Sequence, residues 1–360
     1  MRALFYHSAS HWSGASRAFA VGARGLAAAG ETVVVACAAE GSAQRGFERA
    51  GLDVHAMAIS SSVSRDAWRL RGILKERSPD LLFVQGEREQ TIANSAMRLG
   101  TRRTVVRRIA PDSSAMGGPS GNLVARAMST RLLFATEQDR SAAGAGPDAF
   151  VAPYGVNAAT SENARDASRA ALGIKDGTQL IVGVTDDRSG IRVTTMLRTL
   201  ALLADRHPDL RLVLVGRFED LDDTRMHAAA LGVVPLVKFL DERDDMSSIL
   251  AAADVGWVGA AGDDAAFACL DFMSARVPVI AHESPLTAHL APSGVVGTLL
   301  PEGETNEIAS AVARFLSDGT QRVAMGVAGR ARVVRDFGEA AMIDGFLAAA
   351  GVRHQVPVVA

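Results

Sequence analysis

Two carboxylates stand eight positions apart in the stretch DVGWVGAAGDDAAFACLDFMSARVPVIAHE, Asp263 in a short polar loop and Asp271 farther along. An apolar run, Val255 to Ala260, precedes the loop. A helix-like segment from about Ala265 to Ala275 follows it, and a second apolar run, Val277 to Ala281, closes the unit. That order predicts strand, loop, helix, strand. In an open α/β sheet, ligands sit beyond the carboxyl ends of the strands, where helix N-termini present unpaired N–H groups to anions. The loop Gly259 to Ala266 falls there, with one carboxylate at the loop and the other about two turns along the helix. This is a cradle suited to a diphosphate-bearing ligand. The plainer reading makes Asp263, or Asp264, a helix N-terminal acid favoured by the dipole, and Asp271 a solvent-facing position.

Other candidate chemistry is sparser. The loop His11 to Ser16, between the first strand and the first helix, contains Ser13 and Gly14; the glycine lets a ligand approach the backbone, or simply makes a tight turn. His282, just after a strand, stands at a rim where it meets a ligand or only solvent. No Walker loop, HExxH or GxSxG occurs, and the eight His are scattered without metal-ligand spacing. Asp222–Asp223 and Asp244–Asp245 read as helix-start acids rather than metal ligands. Cys37 and Cys269 lie far apart in strand-like and helix-like segments and read as buried thiols. No metal and no cofactor are expected.

The elements that must position these residues alternate along the chain. Strands are expected at Leu4 to His7, Thr32 to Ala36, Val54 to Ile59, Leu81 to Val84, Thr104 to Ile109, Leu132 to Ala135 and Phe150 to Ala152. Helices are expected from Ala15 to Ala28 and at about 42–50, 67–77, 89–98, 121–129 and 137–144. After a polar, Ala-rich linker over 158–176 the pattern resumes, with strands at Leu180 to Val184, Arg211 to Val215, Leu236 to Leu240, Val255 to Val258, Val277 to Ala281 and Gly297 to Leu300. Alternation of this kind predicts doubly wound parallel sheets. The length of 360 residues predicts two domains.

Composition narrows the class. Hydrophobic residues make up 48% and no tract is of low complexity, which excludes a disordered chain. No apolar run approaches the roughly 20 residues needed to span a bilayer, and the start MRALFYHSASHW is too short and polar for a signal peptide, so a cytoplasmic protein is expected. The net charge of −2 hides an asymmetry: residues 1–150 hold 19 Lys and Arg against 13 Asp and Glu, and the remainder 19 against 27. Arg98, Arg102, Arg103, Arg107 and Arg108 concentrate the positive charge. They form a solvated surface, or contact anionic lipid or an acceptor phosphate. The acidic second half and 5% aromatic residues disfavour nucleic acid as a partner.

The frame of Asp263, DAAFACL, Asp271 and FMSARVPVIA resembles the C-terminal half of GT-B glycosyltransferases of the retaining family-four type, which place two Glu at this spacing before a segment like EAMACGTPVIA. The resemblance extends to Gly14, to Gly30-Glu31-Thr32-Val33 for GHEV, to Ser78 through Val84 for the PDVVHV strand entry, and to Pro153 through Asn157 for the interdomain PNGVD. It implies two Rossmann-like domains facing one another across a cleft, 1–157 on the acceptor side and 177–337 on the nucleotide-sugar side, with 338–360 forming a helix that returns to the first domain and a tail. It implies retaining, metal-independent transfer of a sugar from a nucleotide-sugar to a polysaccharide, glycolipid or secondary-metabolite acceptor, at or near the inner face of a membrane. By the resemblance Asp263 lies near the sugar, Asp271 meets the ribose hydroxyls, Phe239 and Leu240 line the nucleobase pocket, and Gly14, Gly183 and Phe267 belong to the donor site.

The letters depart where the family is most diagnostic. Both acids are one methylene, roughly 1.5 Å, shorter than Glu. The Arg of the family's VGR is Val184 and the Lys of its KG is Ser189, so the donor-side positive charge is assigned to Arg188, with Arg192 near. The family's donor-sugar His is absent from the loop after Thr104 to Ile109, where Arg108 or Asp112 takes a polar role. These losses leave two further readings: a non-catalytic module that binds nucleotide weakly or supports a partner glycosyltransferase, and an enzyme with altered donor chemistry.

Overall fold

A computed structural model describes residues 1–98, 103–111, 130–158, 164–187, 191–241, 246–300 and 305–352. The helix expected at 121–129, and Asp112, Arg188, Ser189, Asp244 and Asp245, lie outside the described residues. The chain divides into two compact units, Met1–Gly155 together with Glu339–Ala360, and Val156–Gly338.

In the first unit, strands β1 (Arg2–His7), β2 (Thr32–Ala38), β3 (Asp53–Met57), β4 (Leu81–Val84), β5 (Thr104–Ile109), β6 (Thr130–Phe134) and β7 (Ala149–Val151) form one parallel sheet in the order β3-β2-β1-β4-β5-β6-β7. Runs such as TVVVACA are buried almost throughout, because helices cover both faces of such a sheet and leave no room for polar alternation. The helices are α1 (Gly14–Ala28), α2 (Ser42–Arg49), α3 (Val63–Arg77), α4 (Glu87–Met97) and α5 (Glu137–Ala142). The strand order reverses between β1 and β4, and that switch point is where such sheets bind ligands.

The second unit repeats the plan with β8 (Gln179–Asp187), β9 (Leu210–Phe218), β10 (Val237–Leu240), β11 (Val255–Val258), β12 (Val279–His282) and β13 (Gly297–Leu300), ordered β10-β9-β8-β11-β12-β13 and parallel. Its helices are α6 (Ala164–Leu172), α7 (Ile191–Leu203), α8 (Leu221–Ala230), α9 (Met246–Ala251), α10 (Gly262–Ser274), α11 (Pro285–Leu290), α12 (Thr305–Ser317) and α13 (Gly319–Asp336). Its core centres on Trp257, Leu197, Leu214, Ile280 and Phe315. Here the switch point falls between β8 and β11.

The last helix, α14 (Glu339–Ala350), packs in the first unit against α1. Glycines make the approach possible: a Cβ on Gly22 would lie 2.5 Å from the Phe346 ring, and one on Gly25 2.5 Å from Ile343. Arg24 pairs with Glu339 at 3.0 Å, and Arg131 donates to the Ala349 carbonyl at 2.7 Å.

Three expectations change at the carboxyl edge of the second sheet. Helix α10 begins at Gly262, not near Ala265, so Asp263 lies in its first turn instead of in a loop. A first turn needs no apolar stripe, and Asp263 and Asp264 are acids of the kind the dipole favours there. Strand β12 ends on His282, which pairs with Leu300, so this His is part of the strand. Strand β8 continues past Val184 to Asp187, because Thr185, Asp186 and Asp187 stay in register with Gly216, Arg217 and Phe218.

Candidate functional site

The second unit's switch point gathers a cation and a helix N-terminus. Strands β8 and β11 pair through Val184 and Val258, and the chain leaves β11 through Gly259, whose N–H donates to the Val184 carbonyl at 2.8 Å. A Cβ on Gly259 would lie 2.7 Å from the terminal methyl of Met196 of α7 and 3.3 Å from the Val184 carbonyl, so the helix and strand pack closely around this residue. Arg192, in the first turn of α7, then reaches over and donates to the Gly259 carbonyl at 3.2 Å. Immediately after, α10 starts, and its first-turn N–H groups face this same edge. Hydrogen bonding to a carbonyl leaves the guanidinium charge intact, so Arg192 and the N-terminus bring positive potential to this corner, opposite the first-turn acids Asp263 and Asp264.

The acids expected here sit differently from one another. Asp263 is buried, 7% exposed, while Asp271 is half-buried, eight residues and about 12 Å along α10. Phe267 between them is buried and serves the core. Beside it, burial and the Asp271 charge push the Cys269 thiol up to about 12, which keeps it inert. Asp186, at the end of β8, is ion-paired to Arg217 of the neighbouring strand at 2.6 Å. Gly183 lies mid-strand, where a Cβ would meet Leu214 at 2.7 Å and the Met196 sulfur at 3.0 Å; its place in the structure is a packing position beneath α7. Phe239 and Leu240 end the edge strand β10, half-buried, with Phe239 edge-on to Phe218 at 5.9 Å between centroids. The carbonyl of His282 accepts from Thr287 at 2.7 Å, which ties the end of β12 to the start of α11.

The carboxyl edge of the first sheet holds a second polar cluster. Ser13 caps α1 in a reciprocal box with Ser16, and the Ser16 hydroxyl meets His7 Nε2 at 2.9 Å. Gly14 is the helix's first residue and is buried. His7 is 2% exposed, flanked by the Phe19 and Phe47 rings, and burial lowers its pKa to about 4, against the pull of Glu89. Ser8 donates to Glu89 Oε1 at 2.5 Å. Below them Arg88 donates to Asp66 at 2.7 Å, and Ser60 donates to the same carboxylate from both its N–H and its hydroxyl. Burial would raise the Asp66 pKa; the Arg88 and Ser60 bonds overcome it and hold the carboxyl below its ordinary range. Among the described residues, the Tyr6 hydroxyl and His7 Nδ1 are buried without a hydrogen-bond partner. The sequence pointed to Ser13 and Gly14 but missed His7, Ser8 and Glu89. The available signal is position, since His7 ends β1, Ser8 follows it and Glu89 lies in the first turn of α4 at the switch point.

Of the arginines expected to form a basic surface, Arg102 lies outside the described residues, and the others do not share one face. Arg107 and Arg108 are buried in β5, 8% and 1% exposed. Arg107 donates to Gln90 at 3.0 Å, and Arg108 lies over the Tyr154 ring at 5.7 Å. Arg103 is tied to the Pro79 and Leu74 carbonyls, and Arg98 is exposed. Alternation along a strand sends Arg107 and Arg108 to opposite faces, and with both faces of this sheet covered neither adds to a solvated basic surface.

Comparisons with known proteins agree with this architecture. Residues 164–332 match the model of the family described as glycosyl transferases group 1. D-inositol 3-phosphate glycosyltransferase of Corynebacterium jeikeium is 28% identical over 46% of this chain and 42% of its own length, and phosphatidyl-myo-inositol mannosyltransferase of Mycobacterium leprae is 29% identical over 53% and 50%. The chain thus spans about half or less of the length of these curated relatives. Among solved structures, Anabaena HepE in complex with UDP-glucose superposes with a TM-score of 0.80 at 17% identity, covering 98% of this chain and 99% of its own. WaaG, a glycosyltransferase involved in lipopolysaccharide biosynthesis, does so with 0.75 at 19%, covering 98% and 100%. Residues 164–332 are therefore similar to the glycosyl transferases group 1 family, and the chain has a GT-B fold.

Proposed function

We propose that this chain is an enzyme that transfers a sugar from a nucleotide-sugar to an acceptor hydroxyl, with retention at the anomeric carbon and without a metal. The observation that supports this most is the corner built by Arg192, Gly259 and the start of α10 at the second sheet's switch point. In the reaction the C1–O bond to the diphosphate breaks, the acceptor oxygen bonds to C1, and its proton leaves with the departing phosphate or to water. Charge grows on the leaving diphosphate, and a fixed guanidinium beside a helix N-terminus stabilises that growth without reorganising. Arg192 takes this role, with Arg188 as a second cation. Asp263 stands toward the sugar, Asp271 toward the ribose, and Phe239 and Leu240 toward the base.

The acceptor is assigned to the first unit's carboxyl edge, near Ser13, Ser8 and Glu89. The names of the relatives point to acceptors of the polyol phosphate, phosphoinositide and envelope-glycan kinds, and an acceptor from that group is proposed here, met in the cytoplasm or at the inner membrane face. Among the described residues no helix is long and apolar enough to cross a membrane.

The test is turnover. The chain is incubated with UDP-, GDP-, ADP- and dTDP-sugars and phosphoinositol or lipopolysaccharide-core acceptors, and release of nucleoside diphosphate is followed with and without EDTA. Turnover of one donor class, unchanged by EDTA and with the product's anomeric configuration equal to the donor's, is the expected result. Loss of turnover in EDTA contradicts metal independence. Absence of release with every donor favours the non-catalytic module, a reading motivated by Val184 standing where the family's Arg belongs.

A further inference from the structure

At the opposite, amino edge of the second sheet lies a cavity of about 480 Å³ lined by Arg165, Arg276, Arg322 and Arg330. Three of these guanidiniums cap helix C-termini. Arg165 donates to the Ala251 and Ala253 carbonyls after α9, Arg330 to Ser274 at the end of α10, and Arg322 to Phe315 and Leu316 at the end of α12. Capping explains why arginines are here, and it does not consume their charge. Asp254 is the one carboxylate among the lining residues, and Arg165 shares it with Arg169. Four guanidiniums thus stand against one carboxylate among the lining residues, and the N-terminus of α13 is capped by the Asp318 carboxylate, which accepts from the Gln321 N–H at 2.8 Å.

Its geometry is fixed rather than incidental. Arg276 sits at φ 59 in the tight turn between α10 and β12. Helix α13 closes on that turn through Gly326, where a Cβ would lie 2.1 Å from the Arg276 carbonyl. On the same helix Val323 and Val327, 70% and 56% exposed, line the cavity and give it an apolar side.

We propose that this cavity binds a phosphate-bearing ligand. Guanidinium forks match a tetrahedral oxyanion with paired N–H donors, and a volume of this size exceeds one phosphate, leaving Val323 and Val327 to border the ester portion. Two sources carry that chemistry, a soluble phosphomonoester and a phospholipid headgroup.

The test titrates the full chain with glycerol 3-phosphate by calorimetry and sediments it with phosphatidylglycerol vesicles, with phosphatidylcholine vesicles as control. Three variants accompany it. Arg276→Gly removes a guanidinium at a backbone angle that glycine accepts. Val323→Asp places a negative charge on the apolar side from an exposed position. Val334→Asp adds the same charge on the same helix, 63% exposed, outside the cavity lining. The proposal expects Arg276→Gly and Val323→Asp each to weaken binding at least tenfold and Val334→Asp to leave it unchanged. If the loss is seen with glycerol 3-phosphate, the ligand is soluble; if it is seen only with vesicles, it is a lipid headgroup. Absence of binding to either probe, or equal binding by all three variants, overturns the proposal and assigns any bound anion to another place.

Discussion

At the residue scale, two buried titratable groups give the first unit different acid sensitivities. The folded pKa of His7 is lowered from 6.5 to about 4 because burial disfavours the imidazolium. Folding therefore favours the neutral ring, and its contribution is complete above pH 6.5 and is lost as pH falls toward 4. His7→Gln should flatten the stability profile across that window in urea titrations, whereas an unchanged slope would mean that His7 titrates normally in the folded chain. Asp66 acts lower: its folded pKa is depressed, so its contribution is present above about 3.8 and is lost as pH falls further. Removing its charge at neutral pH with Asp66→Asn weakens bonds from Arg88 and Ser60 and should cost about 2 kcal/mol in the denaturant midpoint. A cost near zero would show that the Arg88 pair is merely exposed decoration.

Legibility at this scale was uneven for physical reasons. Asp263, Asp271 and the glycine-rich turn stood out because carboxylates and small residues at a strand end are unusual. Arg192 was noted only as near, since nothing local shows a guanidinium folding back to the carbonyl of Gly259, 67 residues away. The burial of Arg107 and Arg108 was illegible too. Their residue type argues for a surface, and only the sheet's tertiary cover overrides it.

At the element scale, packing rests on places where a side chain is missing. Helix α14 reaches α1 only because Gly22 and Gly25 admit Phe346 and Ile343. Gly22→Val should therefore destabilise the chain by about 1–3 kcal/mol through overpacking, read as a lowered midpoint with an unchanged denaturant slope. A midpoint equal to the native one would mean that α14 does not dock on α1 in solution. Strand and helix types follow the sequence well here, because β-branched runs and helical periodicity are strong signals. Ends follow less well. The start of α10 was placed three residues late and β8 was cut short, since a first helical turn needs no apolar stripe and Asp186 looks like a loop residue until Arg217 pairs with it.

At the scale of the whole molecule, the two sheets repeat one strand order, with a switch point between β1 and β4 in one unit and β8 and β11 in the other. This doubling is readable from the alternation of segments, and likeness to solved structures shows it to be the GT-B fold. The charge asymmetry was read correctly as a count but not as a surface. Part of the first half's positive charge is buried in β5, and a cavity lined by four arginines lies in the acidic second half. Net charge reports totals, whereas burial and pairing decide which charges a partner meets.

We propose that the second unit's switch point binds the diphosphate of a nucleotide, with Arg192 as its fixed cation. Calorimetric titration of UDP, with GDP, ADP and dTDP in parallel, into the native chain and into Arg192→Ala tests it directly. The predicted result is saturable one-to-one binding of one nucleotide that weakens about tenfold in the variant, the loss of roughly 1.4 kcal/mol expected of one charge-assisted contact. Equal affinity in the two proteins, or no binding of any of the four, would contradict it.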